Sequence, residues 1–190
     1  EAAPDEVLQV NRPPATYELS EHTVHLRYPD YAAPTAVAST PEELVAAVRA
    51  HTGEVVVKPE NTYCGIGIDF VPPDEDEFAL RSYWDEWGPE IIVQPFIDAI
   101  ESSGDLRILT IGSRVLGSVL RVPPEGSRLA NLHQGATAAA LAPTAKQLAA
   151  CRVVAEDLNP MGLHLLGLDF IGEYLTEVNI TSPTTIVQIN

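Results

Sequence analysis

The residues most able to do chemistry lie close together near the end of the chain. Asp169, Glu177 and Asn179 fall within eleven residues. Glu177 and Asn179 are two positions apart, so both side chains would leave the same face of a strand. Two carboxylates and an amide supply oxygen ligands that suit magnesium, which takes few protein ligands and keeps several waters. Ordinary polar alternation on a solvent-facing strand is the alternative interpretation.

Whether Asp169 shares that face depends on the turn between two strand-like segments, 165–171 and 175–180. A three-residue turn at 172–174 places Asp169 opposite Glu177, whereas a two-residue turn places it on the other face. The sequence leaves both turns open.

Lys58 is one of only two lysines in the chain, and it ends an apolar, strand-like segment at 54–58. Gly65 and Gly67 follow in a loop. A lysine at a strand end beside such a loop can neutralise phosphate while backbone amides approach it. The pattern matches neither a Walker A loop nor a dinucleotide fingerprint, so it is weak by itself.

Three arginines, Arg107, Arg121 and Arg128, are further candidates for contacts with an anion. Arg107 and Arg121 alternate with apolar neighbours on strand-like segments. A guanidinium group in such a place needs an anion or a water-lined cleft. Ion pairing with nearby acids at the surface is the alternative.

The elements that would position these residues follow from hydrophobic periodicity. One helix is expected to begin after Thr40, with Pro41 at its first position and Glu43 in a capping box, and to end before Gly53. The first 35 residues are expected to form an extended lead-in with one short strand at 7–10. Consecutive hairpins mixed with helices favour an α+β fold. The other predicted helices cover 74–84 and 144–155, and the other predicted strands cover 54–58, 68–71, 91–94, 106–111 and 115–122.

Composition excludes several classes of partner. The 190 residues carry 11 Lys plus Arg against 27 Asp plus Glu, a net charge of −16. So negative a surface repels phosphodiester backbones and acidic headgroups, so neither nucleic acid nor membrane is expected as a partner. No apolar stretch approaches the roughly 20 residues of a membrane helix. Two cysteines are too few for a disulfide framework, which favours a cytoplasmic location.

Several segments resemble the bacterial glutathione synthetases of the ATP-grasp superfamily. The most specific are 167–172 and 175–183, because they match in order and spacing. Two loops, 65–67 and 131–135, are more similar to the ATP-grasp ligases that add glutamates to ribosomal protein tails. The remaining segments that carry the resemblance are 11–13, 57–59, 94–97, 104–107 and 120–123.

The resemblance implies an α+β ATP-grasp fold, in which two lobes with antiparallel sheets clasp a nucleotide. A lead-in at 1–35, the remnant of a preceding domain, would be followed by a small lobe at 36–95 and a large lobe at 96–190. The implied enzyme uses ATP and magnesium, or manganese, to phosphorylate a carboxylate, and an amine then displaces the phosphate. In glutathione biosynthesis the pair is γ-glutamylcysteine and glycine. The implied partner is a small-molecule or peptide substrate, and homo-oligomer formation stays open.

The resemblance also assigns roles to individual residues. Arginine charge would neutralise phosphoryl and carboxylate groups in the transition state. Ile97 keeps the backbone N–H that Pro95 lacks, so adenine can still be held there. The nucleotide would contact Lys58, Gly65, Gly67, Gln94, Phe96, Ile97, Asp105 and Asn131; the metal would be held by Asp169, Glu177 and Asn179; and the catalytic arginines would be Arg107, Arg121 and Arg128.

The chain departs from the family pattern in three places. His22 stands near the position of a second phosphate-binding lysine, and histidine is neutral or half-charged at pH 7. Residues 62–64 replace small residues of the phosphate loop. The family's substrate domain is missing ahead of about residue 7, as is a closing segment after Asn190. Since Met161 is the only methionine, we expect a fragment, a processed chain or the ordered part of a longer protein. Three other interpretations stay open: a ligase that extends a peptide or protein tail, a nucleotide-binding module without catalysis, and a scaffold without nucleotide.

Overall fold

The computed structural model describes residue 7 and residues 9–62, 65–130 and 135–189. They divide into two compact units: residues 32–98 form the smaller unit, and the residues before and after them form the larger unit. Among the described residues, no helix has the length and apolar character needed to cross a membrane.

The helices are α1 Pro13–Glu18, α2 Pro41–Arg49, α3 Glu77–Trp87, α4 Ala99–Ser103, α5 Ala145–Leu158 and α6 Ile186–Ile189, with 3-10 turns at Val24–Arg27 and Asn159–Met161. The strands are β1 Ala36–Ala38, β2 Val55–Pro59, β3 Asp69–Val71, β4 Ile91–Pro95, β5 Asp105–Ile111, β6 Arg114–Val122, β7 Thr137–Ala139, β8 Leu165–Ile171 and β9 Tyr174–Asn179.

The smaller unit is a four-stranded antiparallel sheet in the order β1-β4-β2-β3. Helices α2 and α3 pack against one face, so the strand residues that face them are apolar. The strands predicted around 54–58, 68–71 and 91–94 are confirmed to within one residue. The core consists of Ala38, Leu44, Val45, Val48, Val55, Val57, Val71, Leu80, Ile91 and Val93.

The predicted capping of α2 is present in part. The Thr40 hydroxyl accepts from the backbone N–H of Glu43 at 3.2 Å. The Glu43 carboxylate accepts from the N–H of Ser39 at 2.7 Å, one residue before the position that a capping box requires. The helix ends at Arg49, so the expected end before Gly53 is confirmed.

Helix α3 begins later than its acidic run suggested. The carboxylate of Asp76 accepts from the N–H groups of Phe78 and Ala79 at 2.9 and 3.3 Å, which makes Asp76 the N-cap. The helix therefore starts at Glu77 and continues through Trp87, three residues past its predicted end.

The larger unit is a five-stranded antiparallel sheet in the order β7-β6-β5-β8-β9. Helix α5 packs on one face, and side chains alternate along each strand, so the opposite face carries the polar residues. The two predicted hairpins, β5–β6 and β8–β9, are confirmed. The core beneath α5 includes Leu106, Ile108, Leu166, Leu168, Phe170, Leu175 and Val178 from the strands, and Ala150, Cys151, Val154 and Leu158 from the helix.

The hairpin of β8 and β9 combines a short turn with a β-bulge. A two-residue turn at 172–173 pairs the strand ends directly, which by itself would place Asp169 and Glu177 on opposite faces. The register shifts at Thr176, the extra residue of a bulge, and beyond it Asp169 pairs with Glu177. Of the two turns left open by the sequence, the two-residue turn is present. The bulge nevertheless places Asp169 and Glu177 on the same face, as a three-residue turn would have done.

Helix α5 holds the turn of that hairpin. Its predicted start is confirmed: the Thr144 hydroxyl accepts from the N–H of Gln147 at 3.2 Å, and the Gln147 amide oxygen accepts from the N–H of Thr144 at 2.8 Å. The Gln147 side chain also donates to the carbonyl of Gly172 at 2.7 Å. The helix ends at Leu158, just before Asn159 and Pro160.

The lead-in packs on the larger unit and is partly helical, so its expected extended form is wrong. Ala15 of helix α1, Val24 of the first 3-10 turn and Tyr28 just after that turn are buried in the core beneath α5. The strand predicted at 7–10 is also wrong, because the described residues 7, 9 and 10 belong to no strand.

Asn11 ties the lead-in to the open end of the β8–β9 hairpin. Its amide nitrogen donates to the carbonyl oxygens of Leu165 and Ile180 at 2.7 and 2.6 Å. Its amide oxygen accepts from the N–H groups of His164 and Leu165 at 2.6 and 2.8 Å. One side chain therefore bonds the backbone of both strand ends.

Candidate functional site

The face of the larger sheet that points away from α5 carries six polar side chains, which we call the charged face. The strand register brings them together, because Arg107 and Glu177 lie on either side of Asp169. The six residues are Asp105 and Arg107 on β5, Arg121 on β6, Asp169 on β8, and Glu177 and Asn179 on β9. All six were singled out from the sequence.

Asp169 is the centre of the charged face and is 2% exposed. Arg107 binds its carboxylate with two hydrogen bonds, from Nε to Oδ1 at 2.7 Å and from Nη2 to Oδ2 at 2.5 Å. Nη2 of Arg121 lies 2.9 Å from Oδ2, and the Asn179 amide donates to the same oxygen at 3.3 Å. Bidentate, charge-assisted bonds offset much of the cost of removing these charges from water.

The electrostatics of Asp169 follow from these contacts. Burial by itself would raise the pKa of Asp169, but Arg107 and Arg121 hold this pKa well below its usual value. Asp169 is therefore ionised at neutral pH and keeps both guanidinium groups in place.

The C-terminal segment lies across part of the same face. The Thr184 hydroxyl accepts from Nη1 of Arg107 at 3.1 Å. A Cβ atom at Gly167 would lie 3.0 Å from Cβ of Pro183, so the segment passes close to the backbone of β8 at this glycine. The segment thereby helps to orient Arg107.

Arg121 and Asp105 form an ion pair next to Asp169. Nε of Arg121 and Oδ1 of Asp105 are buried and have no hydrogen-bond partner in the part of the chain that the structure describes. A buried guanidinium donor without an acceptor is costly, and an anionic ligand group would satisfy it. Burial raises the pKa of Asp105 to about 7, against the opposing charge of Arg121.

We expect the Asp105→Asn variant to lose part of the pH dependence of stability. The pKa of Asp105 is near 7 when folded, against about 3.9 in an unfolded chain, so protonation favours the folded state. This contribution is complete below the unfolded pKa and is lost as the pH rises through 7. At pH 8 the variant should be more stable than the parent by about 1 kcal/mol or more, whereas at pH 5 the difference should shrink. Urea denaturation at both pH values measures this.

The exposed Asp30→Asn change is the matched control for Asp105→Asn. Parallel stability profiles for the parent and the Asp105 variant between pH 5 and 8 would contradict the raised pKa.

His22 reaches the charged face from the lead-in. Its Nδ1 lies 3.6 Å from Oε1 of Glu177. The departure from the family pattern at residue 22 therefore adjoins one of the three candidate metal ligands.

Asp169, Glu177 and Asn179 fit a hard cation by donor type and by placement. All three occupy the charged face, and a carboxylate offers about four lone-pair directions. The contacts of Arg121 and Asn179 converge on Oδ2 of Asp169, so Oδ1 keeps a lone pair beyond its bond to Arg107. No three His, Cys, Asp or Glu side chains in the described ranges cluster as a metal-binding group. A cation here would therefore also need the Asn179 amide oxygen and ligands from substrate or water.

Arg128 lies outside the charged face. Arg128 follows β6 in a loop, with Nε 3.3 Å from a carboxylate oxygen of Glu101 and both side chains substantially exposed. Asn131 lies outside the described residues, as do Tyr63 and Cys64 of the expected phosphate loop.

In the smaller unit, Lys58 and Gln94 share the face of the sheet that points away from the helices. Both are buried, and the Gln94 amide donates to the Thr35 hydroxyl at 2.9 Å. The backbone N–H of Phe96 donates to the carbonyl of Glu54 at 2.9 Å. The backbone donor expected to bind adenine is therefore that of Ile97.

Gly67, in the segment that leads from β2 to β3, is held by α3. Gly65 and Gly67 have φ values of 77° and 76°, in the left-handed region that favours glycine. A Cβ atom at Gly67 would lie 2.7 Å from Cγ of Pro59 and 3.2 Å from the ring of Trp87. The Tyr83 hydroxyl donates to the Gly67 carbonyl at 2.5 Å. Gly67 is thus held beside Pro59, the last residue of the strand that carries Lys58.

Four residues that support these sites were not identified from the sequence. Gln147 could have been found, because Thr144 and Gln147 have the spacing of a capping box. The other three, Glu21, Tyr83 and Thr184, contact partners far away in sequence or in a loop, and no local pattern marks them.

Comparison with known proteins identifies the family. The model of the family described as "Prokaryotic glutathione synthetase, ATP-grasp domain" matches residues 21–190. The glutathione synthetase of Anaplasma centrale is 32% identical over 187 residues, which cover 97% of this chain and 60% of the relative. The glutathione synthetase of Synechocystis sp. is 32% identical over 190 residues, which cover 99% of this chain and 59% of that relative. The chain thus spans about three fifths of the length of these relatives.

Solved structures show the same fold. The D-cycloserine synthetase DcsG superimposes with a TM-score of 0.72 at 17% identity, covering 94% of this chain and 67% of that one. The ATP-grasp ligase PsnB, complexed with a minimal precursor, superimposes with a TM-score of 0.64 at 15% identity. The match covers 90% of this chain and 55% of PsnB. The expected α+β ATP-grasp fold is confirmed. Because the family match extends over most of the chain, the chain belongs to the family of the prokaryotic glutathione synthetase ATP-grasp domain.

Proposed function

We propose that the chain is the ATP-grasp part of an ATP- and magnesium-dependent ligase that joins γ-glutamylcysteine to glycine. The observation that carries the proposal is the arrangement around Asp169, which two buried arginines hold beside Glu177 and Asn179. Family membership supports the same reaction class. The two lobes are proposed at 36–95 and 96–190, and the compact units fall close to this division.

In the proposed reaction, a substrate carboxylate oxygen attacks the γ-phosphorus of ATP, and ADP leaves. The amine then attacks the acyl carbon and phosphate leaves, which forms the amide bond. Arg121 carries a buried Nε that has no acceptor within the described ranges, so it can bind the phosphoryl or carboxylate oxygens as charge develops. Arg107, fixed by Asp169, contributes a second positive charge at that place. Arg128 is proposed to assist from its loop.

Asp169, Glu177 and Asn179 would hold the magnesium ion, with manganese as a substitute. Bound there, a divalent cation would neutralise phosphate charge and orient the phosphates. Lys58, Gly65 and Gly67 are proposed to bind the phosphates, Gln94, Phe96 and Ile97 the adenine, and Asp105 the ribose. Asn131 is proposed as a further nucleotide contact.

The test measures ADP release by the full chain with ATP and magnesium, with and without γ-glutamylcysteine and glycine, and identifies the product by mass spectrometry. Glycine and acidic peptides are compared as acceptors, which separates the proposed reaction from the extension of a peptide tail. If no γ-glutamyl dipeptide, amino acid or peptide changes the release of ADP, the ligase proposal fails.

A second candidate function, nucleotide binding without catalysis, is favoured by His22 beside Glu177. We expect His22→Lys to raise kcat/KM for ATP at pH 8 by about tenfold or more, because lysine is fully charged there and a charge-assisted bond to phosphate contributes about 1.5–3 kcal/mol. Steady-state ADP release measures this.

The control for His22→Lys is His51→Lys, which adds the same charge in the smaller unit. Turnover that appears only in the His22 variant would favour the non-catalytic module for the parent chain. An equal change in both variants would show that the effect of residue 22 is not local.

A further inference from the structure

Glu21, in the lead-in, makes an unusual concentration of contacts with the chain just after β9. A single carboxylate oxygen, Oε1, accepts from the backbone N–H groups of Ile180 and Thr181, both at 2.6 Å. The same oxygen accepts from the Thr181 hydroxyl at 2.8 Å. The backbone carbonyl of Glu21 also accepts from the N–H of Val178 at 3.3 Å.

These contacts lie where the sheet stops supporting β9. The strand is at the edge of the larger sheet, so β8 is its only neighbour in the sheet, and the pairing ends where Asn179 meets Gly167. The backbone of an edge strand beyond its last pair is prone to fray. Glu21 supplies the acceptor that a further strand would otherwise supply.

The supported backbone is the one that carries two candidate metal ligands. Glu177 and Asn179 alternate with Val178 and Ile180, whose N–H groups bond to Glu21. Fixing the N–H groups on both sides of Asn179 fixes the direction in which its side chain leaves the strand.

We propose that Glu21 is a positioning residue for the cation site, acting through the backbone of residues 178–181. The proposal rests on the proposed function, because it requires a divalent cation at Asp169, Glu177 and Asn179. Ligand atoms must be held to within about 0.5 Å for a metal site to work, and changes to groups that orient ligands typically lower metal affinity by about 10- to 100-fold. Glu21 has no need to touch the cation for this effect.

The experiment titrates Mn²⁺ into the full chain with a non-hydrolysable ATP analogue and follows free Mn²⁺ by electron paramagnetic resonance. Glu21→Ala removes the acceptor and is expected to weaken Mn²⁺ binding about tenfold. Glu21→Gln keeps an oxygen acceptor, so the affinity of this variant for Mn²⁺ is expected to stay within about threefold of that of the parent chain. If the charge of Glu21 were what mattered, Glu21→Gln would bind Mn²⁺ as weakly as Glu21→Ala. Hydrogen exchange should show faster exchange at Ile180 and Thr181 in Glu21→Ala, with the β5 amides unchanged.

Two controls make the outcomes separable. Glu18→Ala removes an exposed carboxylate from the same segment and should leave Mn²⁺ affinity unchanged. Glu177→Ala removes a proposed ligand and should weaken binding strongly. If Glu177→Ala weakens binding but Glu21→Ala does not, the positioning role is overturned while the proposed function stands. If Glu21→Gln is as weak as Glu21→Ala, the positioning role is overturned as well. If Glu177→Ala has no effect, the proposed cation site itself is wrong.

Discussion

The Asp169→Asn variant is expected to be the least stable single variant of the charged face, with a free energy of unfolding lowered by about 3–5 kcal/mol. The change keeps the shape of the side chain but leaves Arg107 and Arg121 buried without their shared countercharge. Neither Thr184 nor Asp105 can replace it, because the first is neutral and the second already pairs with Arg121. Urea denaturation at pH 7 measures the loss, and ATP-dependent turnover should fall below detection because a proposed metal ligand is also removed.

Asp157→Asn is the matched control for that prediction. It also removes the charge of an aspartate that Arg27 contacts with Nε and Nη2, but both side chains are well exposed, at 45% and 39%. Exposed ion pairs contribute about 0–1 kcal/mol, so the control should lose far less. If the two variants lost equal amounts of unfolding free energy, burial would not be the reason why Asp169 contributes strongly to stability.

The Asn11→Ala variant is expected to lose about 3–4 kcal/mol of stability, because four hydrogen bonds disappear at about 1 kcal/mol each. The carbonyl oxygens of Leu165 and Ile180 would lose the amide donor of Asn11. Thermal and urea denaturation measure the loss, and hydrogen exchange at the Leu165 amide localises it.

Asn61→Ala changes the same residue type at an exposed turn of the smaller unit and should alter stability by less than about 0.5 kcal/mol. A small effect of Asn11→Ala would mean that the lead-in is not anchored through this side chain.

Much of the fold could be predicted because its signals are local. The valine run of β2, the Thr144 start of α5 and the two hairpins each depend on neighbours within a few residues. The short strand β7 and the short helix α4 were missed, since neither has enough residues to show a period.

The register at Asp169 shows where local reasoning ends. The length of the turn cannot reveal a bulge, and the bulge at Thr176 reverses what the two-residue turn alone implies. The sequence could place Arg107 and Arg121 on one face by alternation, but it could not show that both meet Asp169. That contact depends on the pairing of β5 with β8, whose partners are more than 50 residues apart.

The supporting contacts were the least accessible to sequence analysis. The partners of Glu21 lie 159 and 160 residues away, and no periodicity connects such positions. Such contacts become visible only in the folded chain. Asn11 was part of a segment that resembles the family, but the sequence did not indicate its partners.

The division of the chain into units has a consequence for its synthesis. The smaller unit is one continuous stretch, whereas the larger unit is assembled from two pieces that residues 32–98 separate. The bonds from Asn11 to Leu165 and Ile180 span 154 and 169 residues. At about 5–20 residues per second on the ribosome, the lead-in waits roughly 8–30 s for its partners to be made. During that interval Val24 and Tyr28 lack the core beneath α5 that they enter in the folded chain, so the lead-in can reach its place only after residues 32–98 and the strands that follow them have been made.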